Sequence, residues 1–313
     1  MALIPVVTII TPVYNGEKFL AETIDSVINA SISIPYEFLV LNDGSLDSTM
    51  EILESYGNKI RTISHKNIGE SATVNRGIES AMGKYLLVLS ADDPLLTAEL
   101  LEIGVEILES DPTIVALYPD WKIIDEQGRT LKIVTLPEYS DEEMIGHSRC
   151  LPGPGVLFSK SAAMSIGGRR EKWKYVGDYD FWLRLSRVGR IQRLPRVLAQ
   201  WRQNSGSTSV SQRGQDMANN RIQVIEEFIS EFKISEELSR MALGNAYYFA
   251  ARLAFFDPRI KGRLLLTKAL IKRHGWPEEA QFLVVVFLLL LPFSALLLKL
   301  SPRLISKIVK SYS

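Results

Sequence analysis

Two adjacent acids, Asp92 and Asp93, followed at once by Pro94, stand directly after the apolar run Tyr85 to Leu89. A short run rich in branched and aromatic side chains suits a strand buried on both faces of a parallel sheet. Carboxylates at its end would lie at the edge where open α/β sheets bind their ligands. Paired acids there can hold a hard cation, because Mg²⁺ and Mn²⁺ take one or two carboxylates and fill the remaining positions with water and phosphate oxygens. The competing use is structural, since Asp also favours turns and helix N-caps. Other polar residues fall at equivalent points: Asn15 follows Val6 to Thr11, and Asp43 follows Phe38 to Leu41. Asp178 and Asp180 stand in G-D-Y-D-F-W-L-R-L, where the first turn of a helix favours negative charge. Asp178, at the expected cap and facing out of the loop, is the stronger functional candidate, whereas Asp180 falls inside the turn.

These residues converge only if the segments between them alternate strand and helix. Val6 to Thr11 reads as a buried strand, and Pro12 to Gly16 as a turn. A helix opening near Glu17 carries Leu20, Ile24, Val27 and Ile28 at helical spacing. Phe38 to Leu41 is a second strand, ending in Asn42-Asp43-Gly44-Ser45 before a helix with Ser45 and Asp47 as capping candidates. A weaker strand at Arg61 to Ser64, a helix over Gly69 to Ala81 closed by Gly83, and the strand Tyr85 to Leu89 follow. Such alternation predicts an α/β fold with a mostly parallel sheet and right-handed crossovers, which carries Asn15, Asp43 and Asp92-Asp93 to one edge.

Beyond a helix at Thr97 to Glu109 the pattern changes. Ile114 to Tyr118, Trp121 to Ile124 and Leu131 to Leu136 are strand candidates, the last two joined through Gln127-Gly128 as an antiparallel addition. The glycine-rich stretch L-P-G-P-G-V from Leu151 leads to a short strand and a helix ending at Gly167-Gly168; it either lines a pocket or is a plain surface connection. Two short strands, near Ile191 to Leu194 and Val197 to Trp201, precede the polar segment Arg202 to Ser211, which reads as a loop or lid.

At 313 residues the chain has room for one large domain or two ordinary ones. Its 36 basic and 36 acidic residues cancel, and no long basic run offers itself to a nucleic-acid backbone, so nucleic acid is not an expected partner. A single cysteine, Cys150, forbids an internal disulfide and fits a reducing compartment, or simply packs. The apolar N-terminus lacks a basic region and is broken by Pro5 and Pro12, unlike a signal peptide. Helices are expected at Asn219 to Phe232, Ser235 to Phe256 and Pro258 to His274. Phe282 to Leu298 then contains no charged residue. With Ala280 and Gln281 it reaches the lower end of the roughly 17 to 25 residues that cross a bilayer, although Pro292 interrupts it. Lys299, Arg303, Lys307 and Lys310 alternate with Leu304, Ile305, Ile308 and Val309, a basic amphipathic tail suited to anionic lipid. A crossing would set that tail outside, against the positive-inside tendency, so an interfacial or re-entrant anchor is expected. The resulting division is an α/β domain over 1–211, a helical extension over 212–276 and a membrane-associating segment over 277–313.

Thr11-Pro12-Val13-Tyr14-Asn15, Asn42-Asp43-Gly44-Ser45, Asn75-Arg76-Gly77, Asp92-Asp93 and Gly177-Asp178-Tyr179-Asp180-Phe181-Trp182-Leu183-Arg184, in that order, resemble the motifs of family 2 glycosyltransferases of the GT-A fold. Each motif alone is weak, and five in register over about residues 5 to 210 are specific. The resemblance implies a nucleotide-diphosphate-sugar donor, a divalent metal (Mg²⁺ or Mn²⁺) and transfer with inversion at the anomeric carbon. On it, Pro12, Tyr14 and Asn15 resemble the wall of the nucleotide pocket, and Asp43 the carboxylate that bonds the base or ribose. Asp92 and Asp93 match the metal- and ribose-binding acids, and Asp178 the catalytic base. The chain departs from many relatives at Ser90, where an acid is common, at Val74, where arginine is common, and near Asn204, where histidine is common. Metal binding would then rest on Asp92 and Asp93, and Arg202 is the candidate replacement for the missing phosphate partner. The expectation is an inverting enzyme on the cytosolic face of a membrane, acting on a glycan or lipid-linked acceptor. A polyprenyl-phosphate acceptor, or a non-catalytic nucleotide-sugar-binding scaffold, are the alternatives.

Overall fold

The apolar run near the N-terminus forms β1 (Val7–Val13) in a computed structural model of the chain that describes residues 4–204, 214–254 and 268. On one side of it lie β2 (Tyr36–Asn42) and then β3 (Arg61–Ser64), and on the other β4 (Tyr85–Val88), all parallel. The connections are helices α1 (Leu20–Ile28), α2 (Thr49–Tyr56) and α3 (Glu70–Ser80). Both faces of β1 are covered, which is why its sequence is β-branched and mostly apolar, with the buried Thr8 and Thr11 as its polar members, rather than alternating with exposed polar residues. Ile9 packs in a cluster with Leu20, Ile24 and Val27 of α1. Ile10 turns to the other face, where a Cβ on Gly77 of α3 would lie 2.6 Å from its Cγ2. Because the chain builds outward from β1 to β3 and then returns to β4, a crevice opens at the carboxyl ends of β1 and β4, a topological switch point.

The second half of the sheet extends that edge. After α4 (Glu99–Ser110) come β5 (Ile114–Ile124), β6 (Thr130–Val134), β7 (Leu157–Ser159), the helices α5 (Lys160–Ser165) and α6 (Gly177–Leu185), and β8 (Arg190–Arg202). β7 lies antiparallel between β4 and β5, so β5 runs in the direction of β4; β8 is parallel to β5. The carboxyl ends of β1, β4, β5 and β8 therefore share one edge. The predicted hairpin through Gln127-Gly128 joins β5 to β6 in antiparallel fashion.

Two pairs of predicted short strands are each one long strand. Ile114 to Tyr118 and Trp121 to Ile124 are continuous through Pro119, and Ile191 to Leu194 and Val197 to Trp201 through Pro195. Leu194 pairs with Pro119 and Val197 with Asp120, so that Pro195 and Arg196 bulge out and the register shifts there. A bulge removes the need for the missing N–H, which is how a strand tolerates proline.

The chain divides into two compact units, Met1–Met144 with Cys150–Ser211, and Ile145–Arg149 with Gln212–Ser313. In the second, α7 (Gly214–Glu231) and α8 (Glu236–Ala254) bury Val224, Ile225 and Phe228 together with Ala242, Ala246 and Ala250. Among the described residues no helix is long and apolar enough to cross a membrane. All but residue 268 of the expected helix over 258–274, the membrane-associating segment 277–313 and most of the expected lid lie outside the described residues.

Entry into β4 is tight. Gly83 N donates to Thr8 Oγ1 at 2.8 Å, and that hydroxyl donates to the buried carboxylate of Glu37 at 2.7 Å. A Cβ on Gly83 would sit 2.4 Å from the backbone nitrogen of Thr8. Gly83→Ala is therefore expected to cost about 1 to 3 kcal/mol, as overpacking does. Chemical denaturation checks this, and an unchanged midpoint would show that β4 can shift away from β1.

Candidate functional site

A cleft of about 410 Å³ opens at the shared carboxyl edge, with Pro12 of β1 and Ser90 and Asp93 from the turn after β4 on one wall. Asp178 and Trp182 of α6 face it from another. The glycine-rich stretch Pro152 to Val156 lines it too, so this segment is a pocket wall rather than a plain connection. Trp121 and Trp201, edge to face with centroids 6.2 Å apart, complete the β5–β8 side.

Asp93 is 3% exposed, and its Oδ1 accepts the backbone N–H of Arg202 at 2.6 Å. Burial first, and then the neighbouring charge of Asp92, push its carboxyl up to about 7. Asp92 is half-buried and is also held above the usual range by burial, with the charge of Glu70 adding to it, while the amide of Asn204 donates to its Oδ2 at 2.8 Å and opposes the rise. The charge of Arg202 opposes the rise at both acids. Among the described residues no group of three or more His, Cys, Asp or Glu side chains is placed to hold a metal ion. Two carboxylates are the protein donor count that Mg²⁺ takes when substrate phosphates and water supply the rest, so the residues fit that ion class.

Arg202, expected as a phosphate partner, has another job. It is 1% exposed, and its donors are committed: Nε to Asp92 O at 2.9 Å, Nη1 to Glu126 O at 2.8 Å and Nη2 to Glu22 Oε1 at 2.7 Å. The guanidinium also lies 4.6 Å from the ring centroid of Phe19. It binds the acid-bearing turn to α1 and to the β5–β6 turn. It is the last residue of β8, the strand parallel to β5.

The nucleotide-side residues are spread along the same edge. Pro12 lines the cleft, while Tyr14 is half-exposed beside it in sequence. Asn15, at φ +53°, accepts the N–H of Leu46 on Oδ1 at 2.9 Å and donates its own N–H to Ser45 Oγ at 2.9 Å. It stitches the loop after β1 to the loop after β2. Asp43 is buried and accepts two backbone N–H groups, from Ile68 at 2.7 Å and Gly69 at 3.0 Å, which shapes the approach to α3. Neither Asn15 nor Asp43 is part of the cleft lining itself; both order the loops on its β2 side.

Asp178 lies within the first turn of α6 rather than at the cap, which is Val176. It is exposed and its Oδ1 accepts the N–H of Tyr179 at 2.7 Å. Asp180, two residues on, is buried and takes Arg184 Nε at 2.8 Å. Arg184 in turn donates to Ile166 O at 2.6 Å and Gly168 O at 2.7 Å. One motif thus supplies a carboxylate to the cleft and a buried ion pair that fixes a neighbouring loop.

That loop carries a residue the sequence did not single out. Arg169 lines the cleft with its side chain 10% exposed, and Nη1 lies 3.0 Å from Glu70 Oε1. Its backbone is clamped by Asn75, whose Oδ1 accepts Arg169 N–H at 2.7 Å and whose Nδ2 donates to Arg169 O at 2.8 Å. Gly168 precedes it at φ +69°, where a Cβ would lie 2.4 Å from Asn75 Oδ1. The signals were present, in Asn75 and Gly167-Gly168, but their meaning depends on a contact between residues 94 apart in the chain.

The family model described as "Glycosyl transferase family 2" matches residues 8–161. An uncharacterized glycosyltransferase of Rickettsia prowazekii is 33% identical over 266 residues, covering 80% of each chain. Among solved structures, S. aureus TarS 1-349 in complex with UDP-GlcNAc superposes with a TM-score of 0.66 at 19% identity, over 84% of this chain and 79% of that one. The mannosyltransferase PcManGT from Pyrobaculum calidifontis, in complex with GDP-Man and Mn²⁺, does so with a TM-score of 0.54 at 16% identity, over 90% and 86%.

The geometry separates two classes of polar residue. Arg202→Met leaves the main-chain oxygens of Asp92 and Glu126 without that donor, and is expected to destabilise the fold by about 3 to 5 kcal/mol. Asp178→Asn alters an exposed carboxylate and should stay within about 0.5 kcal/mol of wild type. Urea denaturation of both variants checks the contrast; equal stabilities would remove the structural role given to Arg202.

Proposed function

This chain belongs to glycosyl transferase family 2 and has the GT-A fold, and we propose that its cleft moves a sugar from a nucleotide-diphosphate donor to an acceptor hydroxyl with inversion at the anomeric carbon. The observation that carries this reading is the meeting of Asp93 and Asp178 in one cleft at the switch point of the sheet. Support for the donor class comes from the UDP-GlcNAc and GDP-Man named for the two structural neighbours.

An acceptor hydroxyl is a poor nucleophile. Asp178, exposed to the cleft, takes its proton as the oxygen attacks the face of the sugar opposite the leaving group. Asp92 and Asp93 would hold a divalent cation, with Asn204 orienting Asp92 and the Arg202 backbone orienting Asp93. Such an ion, when bound, offsets charge on the departing diphosphate without proton transfer. Pro12 and Tyr14, at the end of β1, form the nucleoside side, on loops braced by Asn15 and Asp43. The two acids differ in role because their surroundings differ: Asp93 is buried beside a like charge, and Asp178 is open to solvent and substrate. We assign the acceptor to a glycan or lipid-linked class at the cytosolic face of a membrane. That assignment rests on the sequence of 277–313 alone.

Nucleotide release from a panel of UDP-, GDP- and dTDP-sugars, with membrane lipid extract as acceptor, tests the reading. Release is expected from one donor, dependent on Mn²⁺ or Mg²⁺, and about 10² to 10⁴-fold slower in Asp178→Asn. Turnover that survives this substitution would point to a phosphate acceptor, which needs no base. Donor binding without turnover in either protein would contradict catalysis and favour a scaffold.

A further inference from the structure

Among the described residues that line the cleft, Arg169 is the only cation, and it shares the cleft with Asp93, Asp178 and Glu70. Its surroundings fix its position through the main chain. Asn75 grips its backbone at both N–H and C=O, and Arg184 grips the loop at the carbonyls of Ile166 and Gly168. Both clamps act on the main chain, so they set where residue 169 stands without using its side chain. The side chain is nine-tenths buried, and its recorded ion-pair partner is Glu70, itself 71% exposed in the first turn of α3. A buried, prepositioned fork facing a solvent-exposed carboxylate is a replaceable pair: a ligand with two or more anionic oxygens offers the fork more than a single hydrated acid can.

We propose that Arg169 is a donor-binding residue that exchanges Glu70 for the diphosphate of the nucleotide sugar, and so supplies the cation that Arg202, committed to the fold, cannot. This rests on the donor reading above. In the resting protein Glu70 keeps the guanidinium neutralised in an otherwise acidic cleft. When donor enters, the fork turns to the diphosphate oxygens and Glu70 is released to solvent.

Inorganic pyrophosphate is the common part of every nucleotide-diphosphate sugar and serves as probe without knowledge of base or sugar. Its binding to the full-length protein is measured by calorimetry in the presence of Mn²⁺, with inorganic phosphate as the comparison, for wild type, Arg169→Gln, Arg169→Lys and Glu70→Gln. Arg169→Gln is expected to weaken pyrophosphate binding about 10- to 100-fold, the worth of charge-assisted hydrogen bonds. Arg169→Lys should fall between, since it keeps the charge and loses the fork. Glu70→Gln should tighten binding, because a competitor is gone; a merely structural Glu70–Arg169 pair would make both partners' variants weaken it alike. Circular dichroism confirms that each variant is folded. Wild-type binding that is unchanged in Arg169→Gln would overturn the assignment and leave the donor reading standing. Absence of pyrophosphate binding to wild type, with nucleotide sugars bound normally, would also overturn it, whereas absence of both would overturn the donor reading with it.

Discussion

The site depends on one buried contact, the meeting of Arg202 with the turn that carries Asp92 and Asp93. Its backbone holds the carboxylate of Asp93, its Nε holds the carbonyl of Asp92, and the rest of the guanidinium reaches α1 and the β5–β6 turn. That contact exists because β8 runs parallel to β5 and β5 runs with β4, so the last residue of β8 emerges where β4 ends. Sheet direction thus delivers a cation to the place where two acids have been pushed together. The acids need it, since burial and mutual repulsion keep Asp93 from ionising easily. Arg202 offsets part of that cost through the main chain and leaves the cleft-facing chemistry to other groups.

A second constraint, around α6, works in the same way. The sequence D-Y-D-F-W-L-R places Asp178 toward the cleft and Asp180 into the core, and the Asp180–Arg184 pair then fixes the loop at Gly168. Asn75 closes the loop from the side of α3. Proposed base and proposed diphosphate ligand are therefore set by a single buried network, so a substitution at Asp180 or Asn75 acts on the cleft without touching substrate.

Much of the architecture was legible in the sequence, for physical reasons. Strands buried on both faces leave apolar runs such as Val7 to Ile10 and Tyr85 to Leu87, and the acids after them stand out against that background. Each long strand read as two short ones because a proline interrupts it; the structure keeps Pro119 paired with Leu194 and takes up Pro195 in a bulge, and that pairing joins residues far apart in the chain. Arg202 misled for a related reason. A charged residue before a polar, glycine-containing segment looks exposed, and only the strand pairing shows that it is turned inward. Arg169 was silent, because a basic residue between another arginine and two glycines carries no local mark of burial.

Inversion is the step that most directly distinguishes the chemistry proposed for this cleft, in which the exposed Asp178 acts as base and Asp92 and Asp93 would hold a cation. Once the donor is identified, proton NMR of the first-formed product from an α-linked nucleotide sugar reads the anomeric configuration through its coupling constant. A β-linked product is predicted, because a single displacement with Asp178 as base attacks the face opposite the diphosphate. An α-linked product would contradict the assignment, since retention demands either a second displacement or attack from the face of the leaving group.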